Sequence, residues 1–188
     1  MRLQAPTLAT DIVTQDIFGK PFKLSDLRGK RVMLSFFREA ACPFCNFRIY
    51  EMTHQYKSWQ KAGLEVVTVF TSPAEDVRKH VARHPRPFHM LSDPDLTLYE
   101  EYGVEHSASA MLRAFLFNLP EIFRGLRTGG YFSLKNNPHK KIVPADFLLN
   151  EKGEIVATWY GRDTSDHIPL KAIQAFISGT SVEAALSV

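Results

Sequence analysis

Cys42 and Cys45 are the only cysteines in the chain, and they stand in the run Cys42-Pro43-Phe44-Cys45. Two thiols this close can make and break a disulfide between themselves, which is the chemistry of a redox-active dithiol. The attacking species in such exchange is the thiolate. A helix start favours it, because the first turn leaves backbone N–H groups unpaired and carries the positive end of the helix dipole. An apolar run, Val32 to Phe37, comes just before the pair, and a helical pattern, Phe44 to Gln60, comes just after. Along that helix Cys45, Ile49, Met52, Tyr56 and Trp59 recur at i+3/i+4 spacing. The stripe places Cys45 at the head of a buried face and Cys42 nearer solvent, before the helix proper. One exposed and one shielded sulfur suits disulfide exchange, the first attacking and the second resolving.

Other chemistries fit less well. Structural zinc takes four ligands. His80 and His84 would nominally complete a set with the two cysteines, but the gap from Cys45 to His80 is far longer than zinc-finger spacing and contains a strand pattern. Inert buried thiols are the second alternative, since free cysteine packs as a small hydrophobe. Adjacency at a helix start argues for the redox role instead. No metal and no organic cofactor is implied. Among neighbouring polar residues, Glu39 could shuttle a proton or simply be a solvated loop carboxylate. His54, more than two helical turns beyond Cys45, reads as a surface residue. Strand alternation could point Asp146 toward the dithiol or away from it. Asp163, Asp166 and His167 form a polar cluster with no chemistry beyond turn formation.

The elements around the dithiol read in order. A hairpin spans Asp11 to Leu27, with a turn at Phe18–Pro21 and a short helical turn closed by Gly29. Val32–Phe37 and Leu64–Phe70 are near-continuous apolar runs, expected of buried central strands. Ser72-Pro73-Ala74-Glu75 is a capped helix start, with the helix running to about His84. Phe88–Leu91 is a short strand, and Asp93-Pro94-Asp95 opens a helix to about Tyr102, stopped by Gly103. Lys141–Asn150 and Glu154–Tyr160 form a late hairpin, and Pro169 to about Ser178 is the last helix. Residues 107–140 combine an apolar helical pattern with a Gly-, Asn- and Pro-rich loop and read as an insertion before that hairpin. Its Met, Leu and Phe residues suit simple packing, a dimer contact or a substrate wall.

With 188 residues, 45% of them hydrophobic, the chain makes one domain with its own core. Strands alternating with helices, with a hairpin near each end, predict an α/β fold with a central mixed sheet flanked by helices. The net charge of +3 is spread thinly, so nucleic-acid binding is not expected. No apolar stretch reaches membrane-spanning length. The opening MRLQAPTLATD lacks the apolar core of a secretion signal, so the expected location is the cytoplasm, where a Cys-x-x-Cys is more often catalytic than structural.

Three passages carry a resemblance. SFFREAACPFCNFRI resembles the strand, loop and Cys-x-x-Cys helix of thioredoxins. GLEVVTVFTSPAEDVRKHVARHPRPFHMLSDPDLTLYEEYGV resembles the peroxiredoxin strand, helix, strand and short helix. VPADFLLNEKGEIVATWYGRDTSDHIP resembles the hairpin that follows the cis-proline of thioredoxin-like proteins. Together they cover roughly residues 4–178 and resemble the peroxiredoxin-like branch of the alkyl hydroperoxide reductase/thiol-specific antioxidant (AhpC/TSA) family. The resemblance implies a thioredoxin-like fold and puts Pro144 in the cis-proline position. It also exposes departures. Peroxiredoxins carry Pro-x-x-x-Thr-x-x-Cys, whose cysteine attacks peroxide. Here Cys45 takes that position, Cys42 replaces the threonine and Arg38 replaces the proline. The arginine that precedes the late hairpin strand in peroxiredoxins is replaced by Pro144, and Arg38 could supply a compensating charge.

The sequence thus predicts a thiol-disulfide oxidoreductase with antioxidant-type activity, built on Cys42, Cys45, Arg38 and Pro144. Its substrate would be a disulfide-containing protein, and an external thiol system such as thioredoxin or glutathione would restore the dithiol. A thiol peroxidase acting on hydroperoxides is the alternative enzyme, and a redox-sensing interaction domain is the non-enzymatic one. A homodimer is possible through the 107–140 segment.

Overall fold

The computed structural model describes residues 1–104 and 142–186. The insertion expected at 107–140 lies outside the described residues. Among these, strands β1 (Thr7–Leu8), β2 (Val13–Gln15), β3 (Pro21–Lys23), β4 (Arg31–Phe36), β5 (Leu64–Phe70), β6 (His89–Ser92), β7 (Ala145–Leu149) and β8 (Glu154–Tyr160) are interleaved with helices. The helices are α1 (Pro43–Lys61), α2 (Ala74–His80), α3 (Thr97–Glu101), α4 (Leu170–Ser178) and α5 (Val182–Leu186). A single turn of 3₁₀ helix covers Leu24–Leu27. The main sheet runs β1-β8-β7-β4-β5-β6, with β2 and β3 pairing separately as the opening hairpin. β4 is parallel to β5 and antiparallel to β7, so the sheet is mixed.

The central position of β4 follows from its composition. Val32, Met33, Leu34, Phe36 and Phe37 are all buried, which only a strand covered on both faces permits. Alternation divides them. Met33 and Phe37 join one core with Cys42, Cys45, Ile49, Met52, Tyr56, Trp59 and Ile173, beneath α1 and α4. Val32, Leu34 and Phe36 join a second core with Phe147, Tyr99 and Tyr102 on the opposite face. The stripe expected on α1 is buried throughout. Truncating a side chain such as Ile49, which is fully buried, costs about 2–5 kcal/mol.

Two expectations about helix starts and ends need correction. Ser72 does not cap α2: Pro73 occupies that position without a side-chain hydrogen bond, and the Ser72 hydroxyl is engaged elsewhere. α2 also stops at His80 rather than His84. The late hairpin forms as expected, with Asn150 Oδ1 accepting hydrogen bonds from the Lys152 and Glu154 amides.

Candidate active site

The dithiol sits where β4 ends and α1 begins. β4 is pinned at its exit: Phe37 N donates to Val69 O at 2.8 Å, and the buried Tyr99 hydroxyl donates to both Phe37 O and Val69 O. The loop 38–41 is then folded down by three contacts. Thr71 N donates to Arg38 O, Ala40 N donates to the Ser72 hydroxyl at 2.9 Å, and Cys42 N donates to Glu39 O at 3.1 Å. From below, the Asn46 amide donates to Ala40 O at 2.7 Å and to Cys42 O at 3.0 Å. Cys42 is the N-cap residue of α1, and Pro43 follows in the first turn, where an N–H would have no helical partner in any case.

This tie-down overturns one expectation. Cys42 is not the exposed sulfur: it is 3% exposed and Cys45 is 1% exposed. The physical reason is the loop, which Ser72 and Asn46 hold against the sheet instead of letting it stand out in solvent. The two thiols are free, and electrostatics rather than exposure separates them. Cys42 is lowered to about 6, because the Cys45 thiol donates a hydrogen bond to its sulfur and the Arg38 guanidinium adds charge, together outweighing burial. Cys45 is pushed well above the ordinary thiol value, first by burial and then by its role as donor to Cys42. Arg38 is itself buried, with its Nη1 donating to Cys42 Sγ at 3.5 Å. Glu39 is half-buried in the turn and opposes the Cys42 shift weakly.

Pro144 differs from the cis expectation. The Val143–Pro144 bond is trans, and the cis peptide among the described residues is Ala5–Pro6. Pro144 leads directly into β7, and its carbonyl accepts from Gly161 N at 2.9 Å, so it behaves as a proline that opens a strand. Gly161 must be glycine there, because a Cβ would lie 2.5 Å from Asp166 O and 3.0 Å from Pro144 O.

The ambiguity over Asp146 is resolved by the register. It pairs with Ser35 and shares its face with Leu148, which lies in the α1/α4 core, so it points to the dithiol side. There it is fully buried and accepts hydrogen bonds from His167 Nδ1 at 3.1 Å and Ile168 N at 2.7 Å. Burial alone would raise its pKa, but the His167 ring, its hydrogen bond and the charge of Arg48 win, and the carboxyl is held below its usual range. Asp163 and Asp166 form the expected turn contacts, to Ser165 and Arg162. His54 is exposed. Among the described residues no group of three or more His, Cys, Asp or Glu is arranged to hold a metal ion.

Sequence reasoning missed Ser72, Tyr99 and Arg48. Arg48 did leave a signal. It stands three residues after Cys45, beside Ile49 on the buried stripe, where a charge needs a partner. Ser72 and Tyr99 left none, since their partners are backbone groups distant in sequence.

A mixed sheet flanked by helices, with a buried Cys-x-x-Cys at the head of the helix after its central strand, defines a thioredoxin-fold, thiol-dependent oxidoreductase. Comparison with known proteins agrees. The family model described as "AhpC/TSA family" matches residues 3–158, and the chain belongs to that family. It is 26% identical over 113 residues to peroxiredoxin Bcp of Escherichia coli, covering 60% of this chain and 72% of that protein. It is 28% identical over 105 residues to the thiol-disulfide oxidoreductase ResA of Halalkalibacterium halodurans, covering 55% of this chain and 59% of that one. The crystal structure of peroxidoxin BcpB from Mycobacterium tuberculosis shares the fold, with a TM-score of 0.68 at 16% identity over 94% of this chain and 97% of that one. The chain is therefore a thiol-dependent oxidoreductase of peroxiredoxin-like type.

Proposed function

We propose that Cys42 is the attacking sulfur and Cys45 the resolving one in a disulfide-exchange cycle. The observation that carries this is the opposite shift of the two thiols: Cys42 is lowered to about 6 beside Arg38, and Cys45 is raised. Cys42 thiolate attacks a substrate disulfide and forms a mixed disulfide. Cys45 then attacks the Cys42 sulfur, releasing the reduced substrate and leaving Cys42–Cys45 oxidised. Arg38 stabilises the thiolate, and Pro144 leads into β7, the strand paired with β4. An external thiol, of the thioredoxin or glutathione kind, returns the protein to the dithiol. We place this cycle in the cytoplasm, where such reductants are supplied. No helix among the described residues is long and apolar enough to cross a membrane.

A second reading is supported by the likeness to peroxiredoxins: one thiolate attacks a hydroperoxide and becomes a sulfenic acid, which the other thiol condenses with. The family alignment makes Cys45 the peroxide-attacking sulfur, but its raised pKa argues for Cys42 in that role too. The test is the rate at which the reduced protein is oxidised by hydrogen peroxide, followed by tryptophan fluorescence, Trp59 lying on the dithiol helix, with thiol counting alongside. A rate like that of a free thiol ionised to the same extent as Cys42 is expected. A rate far above it makes the protein a peroxidase and overturns disulfide exchange as its main chemistry. Cys42→Ser and Cys45→Ser variants identify the attacker, since only loss of that sulfur abolishes the first step.

A further inference from the structure

Asp146 and His167 lie 21 residues apart and meet because the β7–β8 hairpin returns the chain to the same end of the sheet. The His167 side chain is 4% exposed and the Asp146 side chain is fully buried. Asp146 holds its carboxylate form and already accepts from Ile168 N, so the proton of the shared contact belongs to His167 Nδ1. In the neutral ring this leaves a lone pair on Nε2. That atom is buried and has no hydrogen-bond partner among the described residues. An orphaned acceptor of this kind costs about 1–3 kcal/mol, so a partner that arrives during turnover would explain it.

A cleft of about 140 Å³ lies between the first turns of α1 and the loop before α4, lined by Phe44, Arg48, Glu51, Ser165 and His167 among others. Phe44 is one of the two residues between the cysteines and directly precedes Cys45. The imidazole packs on Phe37, with ring centroids 4.6 Å apart, and Phe37 shares its core with both sulfurs. Arg48 fixes the wall: its Nη2 donates to Ile168 O at 2.7 Å, and its charge helps keep Asp146 ionised.

We propose that the Asp146–His167 couple takes the proton from a thiol reductant that enters this cleft to reduce the Cys42–Cys45 disulfide. The inference rests on the exchange cycle proposed above. In the first step R–SH gives its proton to His167 Nε2, and the imidazolium is held by Asp146. The resulting thiolate attacks Cys42 Sγ, the Cys42–Cys45 bond breaks, and Cys45 leaves with the electron pair. Cys45, the sulfur that holds a proton most tightly, takes the proton back from His167. A second R–SH, ionised in the same way, attacks the R sulfur of the mixed disulfide. It releases R–S–S–R and the Cys42 thiolate, and His167 passes its proton to solvent. Two thiols are oxidised by two electrons and the protein disulfide is reduced by two.

The test compares two reductants on oxidised protein at neutral pH, scored by the thiols released. Mercaptoethanol must lose a proton to attack, whereas a neutral water-soluble phosphine has none to lose. His167→Gln is expected to slow mercaptoethanol by about tenfold or more and to leave the phosphine rate unchanged. Equal slowing of both reductants, or of neither, overturns the inference. A second measurement needs only the unaltered protein. The rate advantage of the more acidic trifluoroethanethiol over mercaptoethanol should be smaller on this disulfide than on oxidised hydroxyethyl disulfide in the same buffer. Equal advantages overturn the inference. If the phosphine releases no thiol from oxidised protein, the dithiol cycle itself fails and this step falls with it.

Discussion

Helix α1 has a polar cluster at each end, and the two are built differently. Near its C-terminal end, Glu65 accepts from Lys30 Nζ and from the Tyr56 hydroxyl, each at 2.7 Å, and Gln60 donates to that hydroxyl at 3.3 Å. This network closes on itself. Near the N-terminal end, Arg48 Nε, His167 Nε2 and Thr71 Oγ1 are buried with no hydrogen-bond partner among the described residues, and Cys42 is held as a thiolate. A protein keeps such costs only where something else is gained. The closed cluster stabilises the fold, and the open one is arranged to react.

Substitutions at the two ends should therefore separate activity from stability. Cys42→Ser should abolish disulfide exchange with a model disulfide while leaving the thermal midpoint within a few degrees of the parent, read by calorimetry. Glu65→Gln should do the reverse, lowering stability by about 1–3 kcal/mol in urea titrations with exchange intact. The pH dependence of that loss follows from the carboxyl's position. Burial would raise Glu65, but the hydrogen bonds from Lys30 and Tyr56 outweigh it, and the folded-state pKa lies below the unfolded one. Its contribution is thus full above the unfolded pKa and disappears as the pH falls through the folded one. The Gln variant should lose this part of the acid sensitivity.

Two smaller effects sharpen the picture at the reactive end. Alkylation of Cys42 should titrate with a midpoint of about 6, and Arg38→Met should move that midpoint upward by removing a charge 3.5 Å from the sulfur. At neutral pH the variant should react about two- to threefold more slowly with iodoacetamide. Ser72→Ala should cost about 1 kcal/mol by freeing the Ala40 amide, and should raise the exposure of Cys42 to bulky maleimides. A Ser72→Ala variant with unchanged maleimide reactivity would show that the loop stays down without that contact.

What the sequence made legible was periodic or adjacent. The apolar run of β4, the α1 stripe from Cys45 to Trp59 and the Asn150 turn follow from local pattern, and each is found where the pattern put it. The burial of Cys42 was not legible, because the contacts that fold its loop down come from Ser72 on another strand's exit and from the Asn46 side chain. The Asp146–His167 pair was hidden for the same reason. Each residue was visible as a candidate, but only the antiparallel register of β7 decides which face Asp146 takes and brings His167 to it. The isomer of the Val143–Pro144 bond was carried by resemblance alone, and here the residue serves as a strand entry.

The position of Cys42 also sets the direction in which the disulfide leans. Lowering its thiol from 9.0 to about 6 leaves the reduced protein mostly ionised at neutral pH. This stabilises the dithiol by about tenfold relative to a pair of ordinary thiols, which corresponds to about 30 mV of reduction potential. The Cys42–Cys45 disulfide is thereby made more oxidising, easier for a small thiol to reopen and readier to pass its bond to a partner's cysteines than an unperturbed pair would be.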